Sequence, residues 1–417
     1  MKHPSTRRPL LAGAVLAATL ALLAGPGGGA TAGNKDTWVG SWSASPTGAG
    51  AGLSGTGFAD QTIRMIVHTS VGGSAARIRL SNTFGTGAVT IGHATLARPD
   101  AATPALTDVL PASVAELTFN GAPGITIPKG GQVVSDPLPV AVPELSDLVV
   151  SIYLPVATGP ATWHWTARQA AYYGAGDTTA EPTGATLTGT RNSWFFLSGV
   201  DVLSRRSPGS VVVLGDSITD GSQSTINGNA RWTDRLAARL LAGNSPHSEV
   251  GVLNQGLAGN TVNRDGTEIG YAELGVNGLA RLQRDVLSQT GAQTLVLMLG
   301  INDIQIHGDA PDKIIGGLRQ LIAQTRTAGL DVVVSTVTPF EGFSSWTPAK
   351  EETRLAVNEW LRTHRAEFSG LVDFDELLRD PAAPSKLRAE WDSGDHIHPN
   401  DAGYQAMADF VPLWLIS

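Results

Sequence analysis

Two patterns of apolar and polar residues follow one another along this chain. From Trp38 to about Arg206 the runs are short and alternate with period two, as in Gln61–His68 and again over 76–80. Val71, Gly72 and Gly73 lie between those two runs and read as a hairpin turn. Further strands are expected over 88–91, 124–127, 132–134, 147–154 and 194–202, and no stretch of this half carries a helical period. Short strands punctuated by Gly and Pro predict an all-β sandwich or jelly-roll-like domain over residues 37–205.

After residues 205–209, a candidate hinge, the period changes. Val211 to Leu214 is a continuous apolar run, and 231–242 reads as a helix with Trp232, Leu236 and Leu240 on one face. Strands over 250–253, 294–299, 331–337 and 371–374 then alternate with helices over 272–288, 312–328, 349–367 and 402–415. Strands apolar on both faces and separated by helices predict a parallel sheet covered on both sides, occupying 208–417. A chain of 417 residues has room for two such domains.

Residues 1–32 are set apart from both. Lys2, Arg7 and Arg8 precede an apolar run over 10–23, and Ala30-Thr31-Ala32 offers a small-x-small cleavage site. That order predicts a signal peptide and a secreted, extracellular protein; the run is too short for a stable membrane anchor. The arginine pair leaves twin-arginine export open beside the ordinary route. Without this segment the chain keeps 26 basic and 37 acidic residues, a net −11, so nucleic acid is not an expected partner. Cysteine is absent, which excludes a thiol nucleophile and a thiolate metal site.

The candidate chemistry sits where strands are expected to end. Gly215-Asp216-Ser217 follows the first strand of the α/β part, a block from Asn254 to Gly259 and Asn260 the second, and Gly300-Ile301-Asn302-Asp303 the third. Asp395-His396-Ile397-His398 comes just before the last helix. A Gly-Asp-Ser alone is a common turn. At a strand-to-helix junction, however, the serine stands at the carboxyl edge of the sheet, and its N–H can donate to an oxyanion.

Taken together, the four blocks resemble those of the SGNH hydrolases, also called the GDSL esterase/lipase family, over residues 208–417. The resemblance implies a flavodoxin-like three-layer α/β/α hydrolase domain and a role for each match. Ser217 is the nucleophile, His398 its base, and Asp395 orients the imidazole. The N–H groups of Ser217 and Gly259 and the Asn302 amide form the oxyanion hole. A hydroxyl needs such a base, and a tetrahedral intermediate needs such donors. No metal or organic cofactor is implied.

Other readings stand beside these. Asp216 is expected to brace its loop rather than act as an acid. Asp395, His396 and His398 read less well as metal ligands, because no further cluster at ligand spacing accompanies them. His68, His93, His164, His307 and His364 are expected on the surface or satisfied in the core, and Asp303 receives no catalytic role.

The segments 38–46, 61–69 and 79–84 resemble the leader of a secreted SGNH branch. That branch is similar to arylesterases and acylhydrolases of bacterial xylan-degrading systems. The expected function is therefore a secreted carboxylic ester hydrolase acting through an acyl-enzyme, on acetyl or feruloyl groups of plant polysaccharides. The alternatives are a lipase, phospholipase or arylesterase, and a carbohydrate-binding protein with an inactive hydrolase domain. Trp163, Trp165, Tyr172 and Tyr173 read either as a platform for sugar rings or as core aromatics.

Overall fold

Val211, Val212, Val213 and Leu214 have no accessible surface, as a strand packed on both faces requires. They belong to β1 (Ser210–Gly215), an interior strand of a parallel sheet with β2 (Gly251–Gly256), β3 (Ala292–Met298), β4 (Asp331–Ser335) and β5 (Gly370–Val372). The strand order is β2-β1-β3-β4-β5, a doubly wound arrangement whose direction switches between β1 and β3. This structure, a computed structural model, describes Met1 and residues 36–103, 106–243 and 249–416. The predicted signal peptide lies outside the described residues apart from Met1.

The connecting helices are α1 (Ser217–Asp220), α2 (Trp232–Ala242), α3 (Gly278–Leu282), α4 (Ile301–Gln305), α5 (Pro311–Thr327), α6 (Pro348–Thr363), α7 (Phe374–Leu378) and α8 (Asp401–Phe410). Helices α2 and α8 pack together, as do α5 and α6. Trp232, Leu236 and Leu240 of α2 and Tyr404 and Met407 of α8 join the strand side chains in one apolar cluster. Pro311 and Pro348 open α5 and α6 at the position where a missing N–H costs nothing.

Three expected helices are shorter than their pattern, the one over 349–367 ending at Thr363 ahead of a 3-10 turn over Arg365–Glu367. The segment 272–288 begins as a 3-10 turn over Ala272–Leu274. Asn277 then caps α3, its side chain accepting the Ala280 N–H at 2.9 Å, and Gln283–Leu287 continues as a π turn. The helix expected over 402–415 stops at Phe410, because Pro412 lacks the N–H to continue it. A strand pair, Arg379–Asp380 with Ala383–Leu387, had no counterpart in the pattern.

The N-terminal part is antiparallel β-structure in two main sheets of four and six strands. Ile63, Met65 and Val67 of one sheet and Ile78, Leu80, Val200 and Val202 of the other fill a shared core. The hairpin expected at 71–73 does not form. Gln61–His68 pairs with Asp147–Leu154 and Ala171–Ala175, so both its edges are taken, and Ala76–Ser81 joins the other sheet beside Leu197–Ser204. The Val-Gly-Gly segment carries the chain from one sheet to the other. The strand expected over 194–202 is likewise two, broken at Phe196, which takes a left-handed φ of 59°.

Residues from Asp36 onward form one compact unit. Thr37–Ser43 runs beside β2, the edge strand of the parallel sheet, so closely that a Cβ on Gly251 would stand 2.1 Å from the Gly40 carbonyl. The Ser70 hydroxyl accepts the Val252 N–H at 3.0 Å, and the Ser43 hydroxyl donates to the Asn254 carbonyl at 3.3 Å. Hydroxyls thus satisfy backbone groups that an open sheet edge would leave unpaired.

Candidate active site

β1 ends at Gly215, and the chain turns at once into α1. Asp216 is the N-cap: its Oδ1 accepts the Ile218 N–H at 3.0 Å. This fulfils the bracing role expected of Asp216 and makes Ser217 the first helical residue, whose N–H has no partner within the helix. Burial pushes the Asp216 carboxyl up to about 7, against the Ile218 N–H and the nearby Arg281 charge.

His398 arrives from the loop before α8. Its Nε2 lies 2.8 Å from Ser217 Oγ, and its Nδ1 lies 2.7 Å from Asp395 Oδ2. The other Asp395 oxygen accepts the backbone N–H groups of Ile397 (3.1 Å) and His398 (2.9 Å). Burial would raise the Asp395 carboxyl. Hydrogen bonds from the His398 ring and the two backbone N–H groups outweigh it and hold Asp395 well below the usual carboxylate range. A charged carboxylate only accepts, so the proton sits on Nδ1 and the Nε2 lone pair faces the serine hydroxyl. Gln223 adds a further donor to Asp395 Oδ2 at 3.1 Å.

The proposed oxyanion donors come from three strand ends. Among the described residues, no protein acceptor takes the N–H of Ser217 or of Gly259. Gly259 has φ +80°, and a Cβ there would stand 2.5 Å from Leu274 Cδ2, so backbone conformation and packing both demand glycine. Asn302, buried on α4, donates from Nδ2 to the Asn260 carbonyl at 2.9 Å, which leaves its second N–H uncommitted. Asp303 accepts the backbone N–H of Val262 (2.9 Å) and fixes the far side of the Gly259 loop. Burial pushes its carboxyl up to about 7, against those backbone donors.

Two supporting groups have roles that the sequence did not mark, although His164 is satisfied in the core, one of the two settings expected for it. Arg281 of α3, fully buried, donates to the Gly215 carbonyl (2.7 Å), the Gln255 carbonyl (2.8 Å) and Asn260 Oδ1 (2.9 Å). One guanidinium therefore ties the nucleophile strand, β2 and the Gly259 loop together. Its partner Asp285, at 3.1 Å, also accepts from Ser45 of the β-rich part. The second group is His164, also from that part. Its Nε2 lies 2.9 Å from Asp220 Oδ1 at the end of α1, and its Nδ1 lies 2.9 Å from the Ser45 carbonyl. An Arg-Asp pair at i,i+4 reads in a sequence as an exposed helix pair, and nothing local marks it as buried.

His396 does not join Asp395 and His398. Its Nδ1 pairs with Asp392 Oδ2 at 2.6 Å instead. Among the described residues no group of three or more His, Asp or Glu side chains is arranged to hold a metal ion. Three of the four aromatics read as a sugar platform are largely structural. Trp163 stacks on Phe195 and donates to the Gly48 carbonyl, Tyr172 is buried, and Tyr173 packs on the β core.

A serine, a histidine and an aspartate in one hydrogen-bonded line, at the carboxyl edge of a doubly wound sheet, form the arrangement of a serine hydrolase. Residues 213–406 match the GDSL-like Lipase/Acylhydrolase family. Over that stretch the chain is similar to the GDSL-like acylhydrolases, a family of carboxylic ester hydrolases. No curated protein matches the chain. Three solved structures it is similar to illustrate the distance. A carbohydrate acetylesterase family member from Sinorhizobium meliloti has 19% identity and a TM-score of 0.38, covering 48% of this chain and 94% of its own. The aryl esterase of M. smegmatis has 20% identity and a TM-score of 0.38 over the same shares. A GDSL-like lipase from Bacteroides thetaiotaomicron VPI-5482 has 17% identity and a TM-score of 0.36, covering 50% of this chain and 87% of its own.

Proposed function

We propose that this protein is a secreted esterase in which Ser217 attacks the ester carbonyl while His398 takes its proton through Nε2. The observation that carries the reading is the unbroken line from Ser217 Oγ through His398 to Asp395, with contacts of 2.8 and 2.7 Å. Attack places a negative charge on the carbonyl oxygen, which the N–H groups of Ser217, Gly259 and Asn302 stabilise. The tetrahedral intermediate then collapses, the C–O bond to the alcohol breaks, and His398 returns its proton to the leaving oxygen. Water repeats the sequence on the acyl-enzyme, with His398 again as base, and releases the acid. Asp395 stays charged throughout and stabilises the imidazolium.

For the substrate we favour acyl groups, acetyl or feruloyl, on plant polysaccharides. The support is the resemblance of segments 38–46, 61–69 and 79–84 to the leader of that secreted branch. It does not rest on Trp163, Tyr172 or Tyr173, which pack against the β-rich part. Hydrolysis of p-nitrophenyl esters of increasing chain length, beside acetylated and feruloylated xylan, tests it. Release of acetate or ferulate from xylan supports the assignment, whereas activity that rises with chain length and spares xylan replaces it with a lipase. A fluorophosphonate probe that labels the wild type and not Ser217→Ala tests the nucleophile. Secretion is tested by the mature N-terminus, which should follow Ala32.

A further inference from the structure

Asn302 and Gln305 lie one turn apart on the same face of α4, and their side chains touch. Nε2 of Gln305 donates to Oδ1 of Asn302 at 2.9 Å, while Nδ2 of Asn302 donates to the Asn260 carbonyl at 2.9 Å. Behind Gln305, the Ser345 hydroxyl donates to its Oε1 at 2.9 Å. Lys350 of α6 holds the backbone carbonyls of both Gln305 (2.8 Å) and Ser345 (2.7 Å).

This relay has a direction, and simple chemistry sets it. A backbone carbonyl only accepts, so Asn302 must turn its NH2 toward Asn260 and its oxygen toward Gln305. Gln305 must answer with its own NH2, which leaves its oxygen for the Ser345 hydroxyl. Flipping the Asn302 amide would set oxygen against oxygen at Asn260 and NH2 against NH2 at Gln305. Either mismatch is costly for a side chain as buried as Asn302.

We infer that Gln305, backed by Ser345, is a positioning residue for the oxyanion-binding amide: it locks Asn302 in the orientation that keeps an N–H free for the substrate oxygen. The inference rests on the reading of Asn302 as an oxyanion donor. Gln305 itself touches no reacting atom. Its contribution is preorganisation, felt when charge develops in the transition state and little in substrate binding.

The test is a set of kinetic comparisons with p-nitrophenyl acetate. Gln305→Leu keeps the bulk and removes both side-chain hydrogen bonds, so kcat is expected to fall about 10-fold with KM within about twofold. In an Asn302→Ala background the same change should cost nothing more, because no amide remains to be oriented. A residue that merely supports the fold would exact its factor in both backgrounds. Ser345→Ala removes only the outer bond and should lower kcat about two- to threefold, which keeps the relay testable if Gln305→Leu misfolds. Circular dichroism establishes that each variant is folded. Unchanged kcat in a folded Gln305→Leu protein, or an equal loss in the Asn302→Ala background, overturns the inference. If Asn302→Ala keeps full kcat while Ser217→Ala is inactive, the oxyanion role of Asn302 fails, and the relay falls with it.

Discussion

Nε2 of His164 lies 2.9 Å from Oδ1 of Asp220, and both side chains are buried. Asp220 also accepts from the Thr166 hydroxyl, so two residues of the β-rich part grip the helix that begins at Ser217. A four-residue helix has little stability of its own, and these contacts help fix where the nucleophile points. His164→Ala should leave a buried carboxylate oxygen without its partner, destabilising the protein by about 1–3 kcal/mol. It should also lower kcat, because Ser217 and His398 lose their fixed alignment. Thermal unfolding and steady-state kinetics measure the two effects. A variant with wild-type stability and wild-type kcat would show that the β-rich part does not position the nucleophile.

How much of this was legible in the sequence depends on where each signal lives. β1, β3 and β4 were readable because strands buried on both faces are written as unbroken apolar runs, such as Val211 to Leu214. The blocks that carry Ser217, Asn302 and His398 stood out because they follow expected strand ends or precede a helix, and the roles proposed for them come from the resemblance to the SGNH hydrolases. The partnership of 61–68 with 76–81 was not, because alternation reports which face is buried and not which strand lies alongside. Arg281 and His164 were hidden for a related reason. Each has partners on distant segments, Ser45 among them in both cases, and no local pattern records them.

Chelation separates the triad from a metal reading of the same loop. Asp395 and Asp392 each engage a different histidine, His398 and His396, so the loop's donors do not converge on one point. Activity should therefore survive prolonged dialysis against EDTA. Loss on dialysis with recovery on adding zinc would require the loop from 392 to 398 to be reinterpreted.

Asp216 gives a prediction for stability against pH. Burial places its carboxyl near 7 in the folded protein, above its value in an unfolded chain. Between those two values the folded state holds a proton that the unfolded state has released. Stability should therefore fall as pH rises through this window and level off above about 7. Asp303 adds to the same slope. Asp216→Asn keeps an oxygen to cap Ile218 and removes the titration. Its melting temperature relative to wild type should improve on going from about pH 4.5 to about pH 7.5. A constant difference across that range would show that Asp216 is ionised in the folded protein even at the acidic end.

The members of the proposed triad should fail unequally. Ser217→Ala removes the nucleophile and His398→Ala the base; because the two act as a unit, each should cost about 10⁶-fold in kcat. Asp395→Asn leaves the base in place, but an amide offering its NH2 to Nδ1 favours the opposite tautomer and cannot stabilise the imidazolium, so about 10⁴-fold is expected. Wild-type activity should also be lost on acidification, since a protonated His398 cannot accept from Ser217. That acid limb does not come from Asp395, whose hydrogen bonds keep it charged well below the usual carboxylate range. Single-turnover rates with p-nitrophenyl acetate check the ordering of Ser217 and His398 ahead of Asp395. An Asp395→Asn protein with full activity would reduce Asp395 to a structural brace. A fully active His398→Ala protein would remove the proposed mechanism.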